Sequence, residues 1–411
     1  MKAKLSGLLA GSRIRYLLLS VAPIVLPLAT GTIMHLLMAR SIAPADYALI
    51  PKALALASFA TVIAYFINHD VAAREIAISS AKGEATRAFF MGRVVMTLAG
   101  FLAGSAVAHV IDRGNQVAIW LFLGWFAVNV GLVENIIQSW RANESFGKSA
   151  LLSLVQFVLL ASGIASLYLA GATIRGLALV LMAGSLLSAG LFMPFSRDLF
   201  GRFDRKHLCR MLARSFPVAA SGLAVFVSNW FGVLWLSYAG AREDLTHYFL
   251  AGKFAGAHLI AISVLYFAFI PELSGMHGNR MAGIFRRWLW VIAAYAAASS
   301  LVVYFAVLPA IGSFWGPGYL EVRHYYSLYM PWTILACLTY YCGIFVFASG
   351  YSTIIGIFQS VLASLTVGLT MIAYGKWGPL SLPLAEGAAV LAAGMVQYVL
   401  WSHVITRGEA K

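Results

Sequence analysis

The sequence predicts an all-α protein in which about twelve transmembrane helices form two six-helix lobes. Three observations lead to this fold class: the composition, a series of membrane-length apolar segments, and the uneven distribution of basic residues. Of the 411 residues, 61% are hydrophobic and only 11% are charged, whereas about 25% of the residues in a soluble domain are charged. Because a soluble fold cannot bury so much apolar surface, the chain is expected to lie in a membrane.

Twelve apolar segments are long enough to span a bilayer, for which a helix needs about 20 residues. They cover residues 16–38, 47–69, 88–110, 117–140, 150–171, 176–195, 216–239, 247–271, 288–311, 324–348, 353–374 and 381–403. The first segment is interpreted as an uncleaved span, because it is too long for a signal peptide. The weakest boundaries lie at residues 172–175 and 350–352. Losing one span would invert every later loop, so the charge distribution is needed to fix the count.

Basic residues concentrate in alternate loops. The amino-terminal arm, the loops after even-numbered spans and the tail contain 20 Lys and Arg residues, and the opposite loops contain six. Because Lys and Arg are retained in the cytoplasm, both termini are expected there and the count of spans is even. This topology accounts for most of the net charge of +14, so no nucleic-acid partner is predicted.

A short pattern occurs once in each half of the chain. Tyr47, Leu49 and Lys52 recur 201 residues later with the same spacing, in HYFLAGKFAG at residues 247–256. With six spans in each half, this pattern predicts a parallel repeat about an axis along the membrane normal. The predicted domains are an amino-terminal lobe at 1–195, a basic cytoplasmic linker at 196–214 and a carboxy-terminal lobe at 215–411.

The predicted linker combines six basic and two acidic residues with several apolar ones. Its apolar residues are Phe200, Phe203, Leu208, Met211 and Leu212. Two interpretations remain open. The segment is either an amphipathic helix on the anionic inner leaflet or a solvated linker.

Ionisable and amide side chains inside the spans are the candidate site residues, because a charge at mid-helix costs about 2.5–3.5 kcal/mol on insertion scales. The substrate-binding candidates are Lys52, Arg93, Asn229, Lys253, His258 and Arg323, and the proton-coupling candidates are Glu134, His258 and Glu386. Cations outnumber acids in this set, which favours an anionic substrate. Cys337 and Cys342 lie five residues apart on one predicted helix, a spacing that suits neither a disulfide nor a metal site. No metal, cofactor or catalytic site is predicted.

The two lysines have structural alternatives. Lys52 and Lys253 lie near the ends of their spans, where a lysine can extend to the interface. Gly252 and Gly256 indicate a close helix contact and favour a buried position for Lys253. Glu386 lies at a similar depth, which makes it a candidate to neutralise either lysine.

The other candidates also leave alternatives open. Arg93 and Glu134 lie at similar depth in consecutive spans. They either form a structural salt bridge or act separately, Arg93 on an incoming anion and Glu134 on a proton. His258 is either a hydrogen-bonded packing residue or a group that exchanges a proton near neutral pH.

A family resemblance begins in residues 38–77, MARSIAPADYALIPKALALASFATVIAYFINHDVAAREIA. This segment resembles the start of bacterial oligosaccharide flippases of the Wzx type, relatives of the multidrug and toxin extrusion (MATE) exporters and of the lipid II flippase. The family's motif positions are occupied by Arg40, Pro44, Tyr47, Arg74 and Glu75. YFLAGKF at 248–254 and FIPELS at 269–274 look like the start and end of the family's eighth span.

The resemblance implies two MATE-like lobes around a central cavity that opens alternately to each side. It implies export of an undecaprenyl-diphosphate-linked oligosaccharide from the cytoplasmic to the periplasmic leaflet of the bacterial inner membrane. The glycan would serve cell-surface polysaccharide or lipopolysaccharide synthesis, with membrane lipids and the polysaccharide polymerase and chain-length machinery as partners. Lys253 and Lys52 match the family's cationic cavity. Span seven departs from the family pattern, because WFGVLWL is apolar and Asn229 is the nearest polar residue.

The main alternative is a multidrug or small-molecule secondary transporter of the same superfamily. A cation exporter would carry acidic residues in the first two spans, which contain none between Tyr16 and His69 except the loop residue Asp46. A major facilitator transporter would carry a G-x-x-x-D-R-x-G-R-R pattern, which residues 70–87 lack. The loops are too short for an enzyme's catalytic residues, so no enzymatic activity is predicted.

Overall fold

The computed structural model describes residues 11–111, 115–200, 204–273, 278–348 and 352–408, which are helical and contain no strand. The predicted all-α fold class is therefore confirmed. The α-helices are α1 Gly11–Ser41, α2 Pro44–Tyr47, α3 Leu49–Ala64, α4 His69–Ile78, α5 Lys82–Ile111, α6 Gln116–Val128, α7 Asn135–Ala142, α8 Phe146–Gly171, α9 Ile174–Phe192, α10 Arg205–Tyr238, α11 Arg242–Leu273, α12 Gly278–Val302, α13 Leu308–Trp315, α14 Glu321–Ala348, α15 Ser352–Trp377 and α16 Leu382–Gly408. The π-helical segments are Asn129–Glu134 and Val303–Val307, and the 3₁₀ segments are Met193–Leu199, Pro317–Tyr319 and Pro379–Ser381.

Ten helical stretches in the described residues are long and apolar enough to cross a membrane. They are Pro44–Ala64, Lys82–Val110, Gln116–Ala142, Phe146–Gly171, Ile174–Leu199, Arg205–Tyr238, Met281–Trp315, Pro317–Val346, Ile354–Trp377 and Pro379–His403. Each one contains or largely overlaps a predicted span. The other two predicted spans lie within α1 and α11, which are 31 and 32 residues long.

The weak boundary between the fifth and sixth predicted spans is a true helix break. Gly171 ends α8 with a φ of +94°, a conformation that glycine adopts without steric cost. Thr173 then caps α9, because its side-chain oxygen accepts a hydrogen bond from the Gly176 amide at 3.0 Å. The prediction of two separate spans is confirmed here. The other weak boundary, at 350–352, lies largely outside the described residues.

Contacts within the chain define two compact units. The N-terminal unit comprises the described residues through Ile42 together with Lys52–Gly222, and the C-terminal unit comprises Ala43–Pro51 and the described residues from Leu223 onward. The second boundary falls inside α10. These units differ in their bounds from the predicted lobes at 1–195 and 215–411, which remain a prediction.

The short segment Ala43–Pro51 belongs to the C-terminal unit because of specific contacts. The Thr246 hydroxyl group donates to the Pro44 carbonyl oxygen at 2.6 Å. Gly318 allows the Pro44 ring to approach, since a Cβ at that position would lie 3.2 Å from it. Tyr47 is fully buried and packs edge-to-face on Tyr319, with ring centroids 6.2 Å apart.

The described part of the predicted linker belongs to the folded N-terminal unit, which contradicts a solvated linker, whereas contact with the inner leaflet stays a prediction. The residues from Arg205 onward form the start of α10. Met211 is buried, and Leu208 and Leu212 pack against the same apolar cluster. Arg214 forms an ion pair with Glu75 of α4. Leu208, Met211 and Leu212 therefore pack on protein, whereas Phe200 contacts Phe90 but is 38% exposed. Phe203 lies outside the described residues.

Helix α4 lies between the second and third predicted spans, which end at residue 69 and begin at residue 88, and no helix was predicted there. Its residues Ala72 and Ile76 lie one turn apart and are both buried, next to Phe89 of α5. The segment is short and carries charges, so it has too few apolar residues to be identified as a span.

Candidate functional site

A buried cluster of charged and aromatic side chains lies in the N-terminal unit. The Arg93 side chain is 0% exposed, and its Nη2 atom lies 3.0 Å from Oε1 of Glu134. The Tyr65 hydroxyl group donates to the same carboxylate oxygen at 2.5 Å. The Arg93 guanidinium also stacks on the Tyr65 ring, 4.3 Å from its centroid. Arg93 and Glu134 thus form the salt bridge that was one of the two alternatives for this pair.

Backbone irregularity positions Glu134. It ends the π-helical segment Asn129–Glu134, and such insertions turn the following side chains relative to a regular helix. The segment is fixed by Asn129, whose Oδ1 atom accepts from Gln156 Nε2 at 2.5 Å. Gly131 lets α5 approach, because a Cβ there would lie 3.1 Å from the Thr97 methyl group.

The two charges in this cluster differ in their exposure. Glu134 is 25% exposed, whereas Arg93 is fully buried, with Nε and Nη1 lacking hydrogen-bond partners among the described residues. A substrate cannot contact Arg93 in this state of the protein. Of the two alternatives for this pair, the geometry favours the structural salt bridge.

A second polar cluster lies in the C-terminal unit around Glu386. The Tyr248 hydroxyl group donates to Oε1 of Glu386, and the Tyr329 hydroxyl group donates to Oε2 at 3.1 Å. Glu386 is 8% exposed. Gly232 of α10 makes room for this arrangement, because a methyl group at that position would overlap the Tyr248 ring. The cluster therefore joins α11, α14 and α16 through one carboxyl group.

This arrangement contradicts the hypothesis that Glu386 neutralises Lys253. Among the described residues, no ion pair connects the two side chains. Helix α11 places Tyr248 toward Glu386, and Lys253, five residues further on, lies on a different face of the helix. The oxygens of Glu386 accept hydrogen bonds from tyrosines instead.

Lys253 lies beside a pair of aromatic rings. Its ammonium nitrogen is 4.8 Å from the Phe249 ring centroid and 5.6 Å from the Trp230 centroid. The two rings stack on each other with centroids 6.1 Å apart and an interplanar angle of 29°. The Lys253 side chain is exposed, and its position in a cavity rather than against lipid stays a prediction.

The glycine pattern next to Lys253 explains this outcome. A Cβ on Gly252 would lie 3.4 Å from the Tyr329 hydroxyl oxygen, whereas one on Gly256 would have no neighbour within 4 Å. The close contact with α14 is thus made by Gly252 alone. Successive residues of a helix are about 100° apart, so Lys253 points away from this contact.

The remaining candidates occupy separate places in the fold. His258 is buried and its Nε2 atom lies 3.0 Å from the Tyr326 hydroxyl oxygen, as the packing alternative predicts. Lys52 in α3 is half-buried and Asn229 in α10 is exposed. Arg323 is exposed and stacks on Tyr304 at 4.5 Å.

Tyrosines are the contribution that the sequence analysis underestimated. Tyr65, Tyr248 and Tyr329 each donate to a carboxyl group inside the helical bundle. Tyr248 belongs to the repeated pattern, which specifies no carboxylate partner, and none of the three tyrosines was a candidate site residue. Trp230 had no signal of its own.

The described residues contain no group of three or more His, Cys, Asp or Glu side chains placed to hold a metal ion. Cys337 and Cys342 are buried thiols in α14, and Cys209 is an exposed thiol in α10.

The sequence matches no known family profile and no curated protein, but the fold resembles solved transporter structures. The inward-facing conformation of a multidrug resistance MATE family transporter of the MOP superfamily superposes with a TM-score of 0.72 at 12% identity, covering 95% of this chain and 99% of that one. The lipid II flippase MurJ, in its inward closed conformation, gives 0.72 at 14% identity, with coverages of 94% and 87%. The Vibrio cholerae MATE transporter VcmN in the bent form gives 0.62 at 12% identity, with 96% of both chains covered. The chain therefore has the all-helical membrane fold shared by MATE transporters and MurJ.

Proposed function

We propose that the protein is a flippase for an undecaprenyl-diphosphate-linked oligosaccharide, which it moves from the cytoplasmic to the periplasmic leaflet of the bacterial inner membrane. Both termini would lie in the cytoplasm. The glycan would enter cell-surface polysaccharide synthesis, where the polymerase and chain-length machinery are the expected partners. One of the superposed structures, MurJ, is by its name a lipid II flippase, which supports this class of substrate.

The observation that carries the proposal is the exposed position of the Lys253 side chain. Lys253 is an exposed cation on a membrane-length helix, and it forms no ion pair within the part of the chain that the structure describes. Its described neighbours are the aromatic faces of Phe249 and Trp230. An ammonium group has three donors, so Lys253 retains donors for an anion.

The chemistry of the substrate explains why such a cation is needed. A diphosphate and its sugars cannot cross about 30 Å of hydrocarbon without replacement of their hydration. A lysine binds phosphate as a point charge and releases it more readily than a bidentate arginine does. An exposed lysine therefore suits a headgroup that has to bind on one side of the membrane and leave on the other.

We assign proton coupling to Glu386 in preference to Glu134. Glu134 is paired with Arg93, a permanent cation that already balances its charge. Glu386 contacts two tyrosine hydroxyl groups, and a neutral carboxylic acid carries a hydroxyl donor of its own. Protonation of Glu386 would therefore replace one of these hydrogen bonds and alter how α11, α14 and α16 are joined.

Substitution of Lys253 in cells tests the function. Deletion of the gene is expected to leave lipid-linked glycan on the cytoplasmic leaflet. Lys253→Arg should restore export. Lys253→Ala should reduce it roughly tenfold or more, because it removes hydrogen bonds between a charged group and the substrate. The measurement is the amount of lipid-linked glycan accessible from the periplasm.

Lys376→Ala is the matched control, because Lys376 is also exposed and its ammonium lies 6.0 Å from the Trp377 centroid. It should export at the wild-type rate. Full rescue by Lys253→Ala at equal membrane abundance would remove Lys253 from the mechanism. Normal glycan export in the deletion strain would overturn the function.

A multidrug or small-molecule secondary transporter of the same superfamily is the second candidate. It is favoured by the fold, which superposes on a multidrug resistance MATE transporter over 95% of this chain and 99% of that one. The deletion strain distinguishes the two functions. Sensitivity to cationic drugs together with unchanged glycan export would support this candidate.

A further inference from the structure

We infer that Trp230 forms a carbohydrate subsite next to Lys253, on which the first sugar of the lipid-linked glycan stacks. This inference rests on the proposed function and names the part of the substrate that the aromatic side chain contacts. Trp230 lies in α10, and both Phe249 and Lys253 lie in α11.

The geometry places an aromatic face and a cation next to each other. Phe249 is 5% exposed and stacks on Trp230 at 6.1 Å, so it fixes the orientation of the indole ring from one side. Lys253 follows Phe249 by one helical turn, on the same face of α11. Its ammonium nitrogen lies 5.6 Å from the Trp230 centroid, and Trp230 itself is partly exposed.

The short distance between the Lys253 ammonium group and the Trp230 ring suits the part of the proposed substrate where the first sugar joins the diphosphate. The first sugar is bonded directly to the diphosphate, so its ring lies beside the phosphate oxygens. A cation and an aromatic face in contact with each other can therefore bind both groups at once. Sugar C–H groups are positively polarised and pack on the negative face of an aromatic ring. Of the aromatic side chains, tryptophan offers the largest face for this contact.

A second lysine–tryptophan pair provides a contrast. Trp377 is 71% exposed, follows Lys376 directly on α15, and has no stacked ring among the described residues. This arrangement is typical of an aromatic residue at a membrane interface. Trp230 differs because a buried neighbouring ring holds it in place beside the cation.

The test compares two lipids on the purified full-length protein in nanodiscs. The probes are undecaprenyl diphosphate without a sugar and the same lipid carrying a single glucose, galactose or N-acetylglucosamine. Trp230→Ala should lower affinity for the glycosylated lipids roughly 3- to 10-fold, as expected for loss of one aromatic contact, and leave affinity for the bare lipid unchanged. Trp230→Phe should retain most of the affinity. Lys253→Ala should weaken both classes of lipid, and Trp377→Ala neither.

Thermal unfolding of each variant identifies those that fail to fold. If Trp230→Ala is one of them, Trp230→Leu replaces it, because leucine fills part of the space without an aromatic face and should show the same selective loss for glycosylated lipids. Equal losses for bare and glycosylated lipids in Trp230→Ala would show that the ring only positions Lys253, and would overturn the subsite. Unchanged affinity for every glycosylated lipid would also overturn it. If wild-type protein binds neither class of lipid, the proposed function itself fails, which is a separate outcome.

Discussion

Glu134→Ala is expected to destabilise the protein by about 3–5 kcal/mol, because it leaves a buried cation without its partner. Arg93 is fully buried, so its guanidinium cannot recover hydration when the carboxylate is removed. Arg93→Met should cost less, since Glu134 is 25% exposed and can be hydrated. The double variant Arg93→Met/Glu134→Leu should recover much of the loss. The free energy of unfolding in mixed micelles measures each effect.

Glu84→Ala is the control for this series, because Glu84 is an exposed acid in the first turn of α5. Its effect should stay within about 0.5 kcal/mol. The structural role of the pair would be contradicted if Glu134→Ala were as stable as Glu84→Ala. A larger loss for Arg93→Met than for Glu134→Ala would contradict the proposed asymmetry between the two charges.

Glu386→Gln is expected to abolish the response of transport to a pH gradient. A glutamine has nearly the same shape as glutamate and can still bond to a tyrosine, but it cannot bind or release a proton. Transport of labelled lipid-linked glycan into proteoliposomes should therefore become the same with and without an imposed gradient, while binding of the glycan persists.

Glu321→Gln serves as the control, because Glu321 is an exposed acid at the start of α14. It should preserve the gradient response. If Glu386→Gln also responds to the gradient and Glu134→Gln does not, the coupling group is Glu134 and the assignment to Glu386 is wrong.

Contacts between consecutive helices, and the boundaries between them, could be predicted from the sequence. The pairing of Arg93 with Glu134 follows from their similar depth in consecutive spans. The break before α9 follows from Gly171 and Thr173, which act within a single turn. In both cases the decisive residues lie close in sequence or in consecutive helices, so spacing placed them near each other. The charge distribution was still needed to keep the boundary before α9, and the role of the Arg93–Glu134 pair was left open.

Contacts between distant helices could not be predicted in the same way. Glu386 accepts hydrogen bonds from Tyr248 and Tyr329, which precede it by 138 and 57 residues. Periodicity shows which face of a helix is polar, but it does not show which helix packs against that face. The π-helical segment before Glu134 has no sequence signature, and the exposure of Lys253 depends on which of two glycines meets α14.

Direct measurement of lipid transfer between leaflets tests the central claim. Wild-type protein reconstituted into liposomes should move an undecaprenyl-diphosphate-linked fluorescent oligosaccharide away from an impermeant quencher faster than protein-free liposomes do, and unlabelled glycolipid should compete. The central claim would be contradicted if transfer were no faster than in protein-free liposomes under a pH gradient of either direction, while the same vesicles took up a cationic dye.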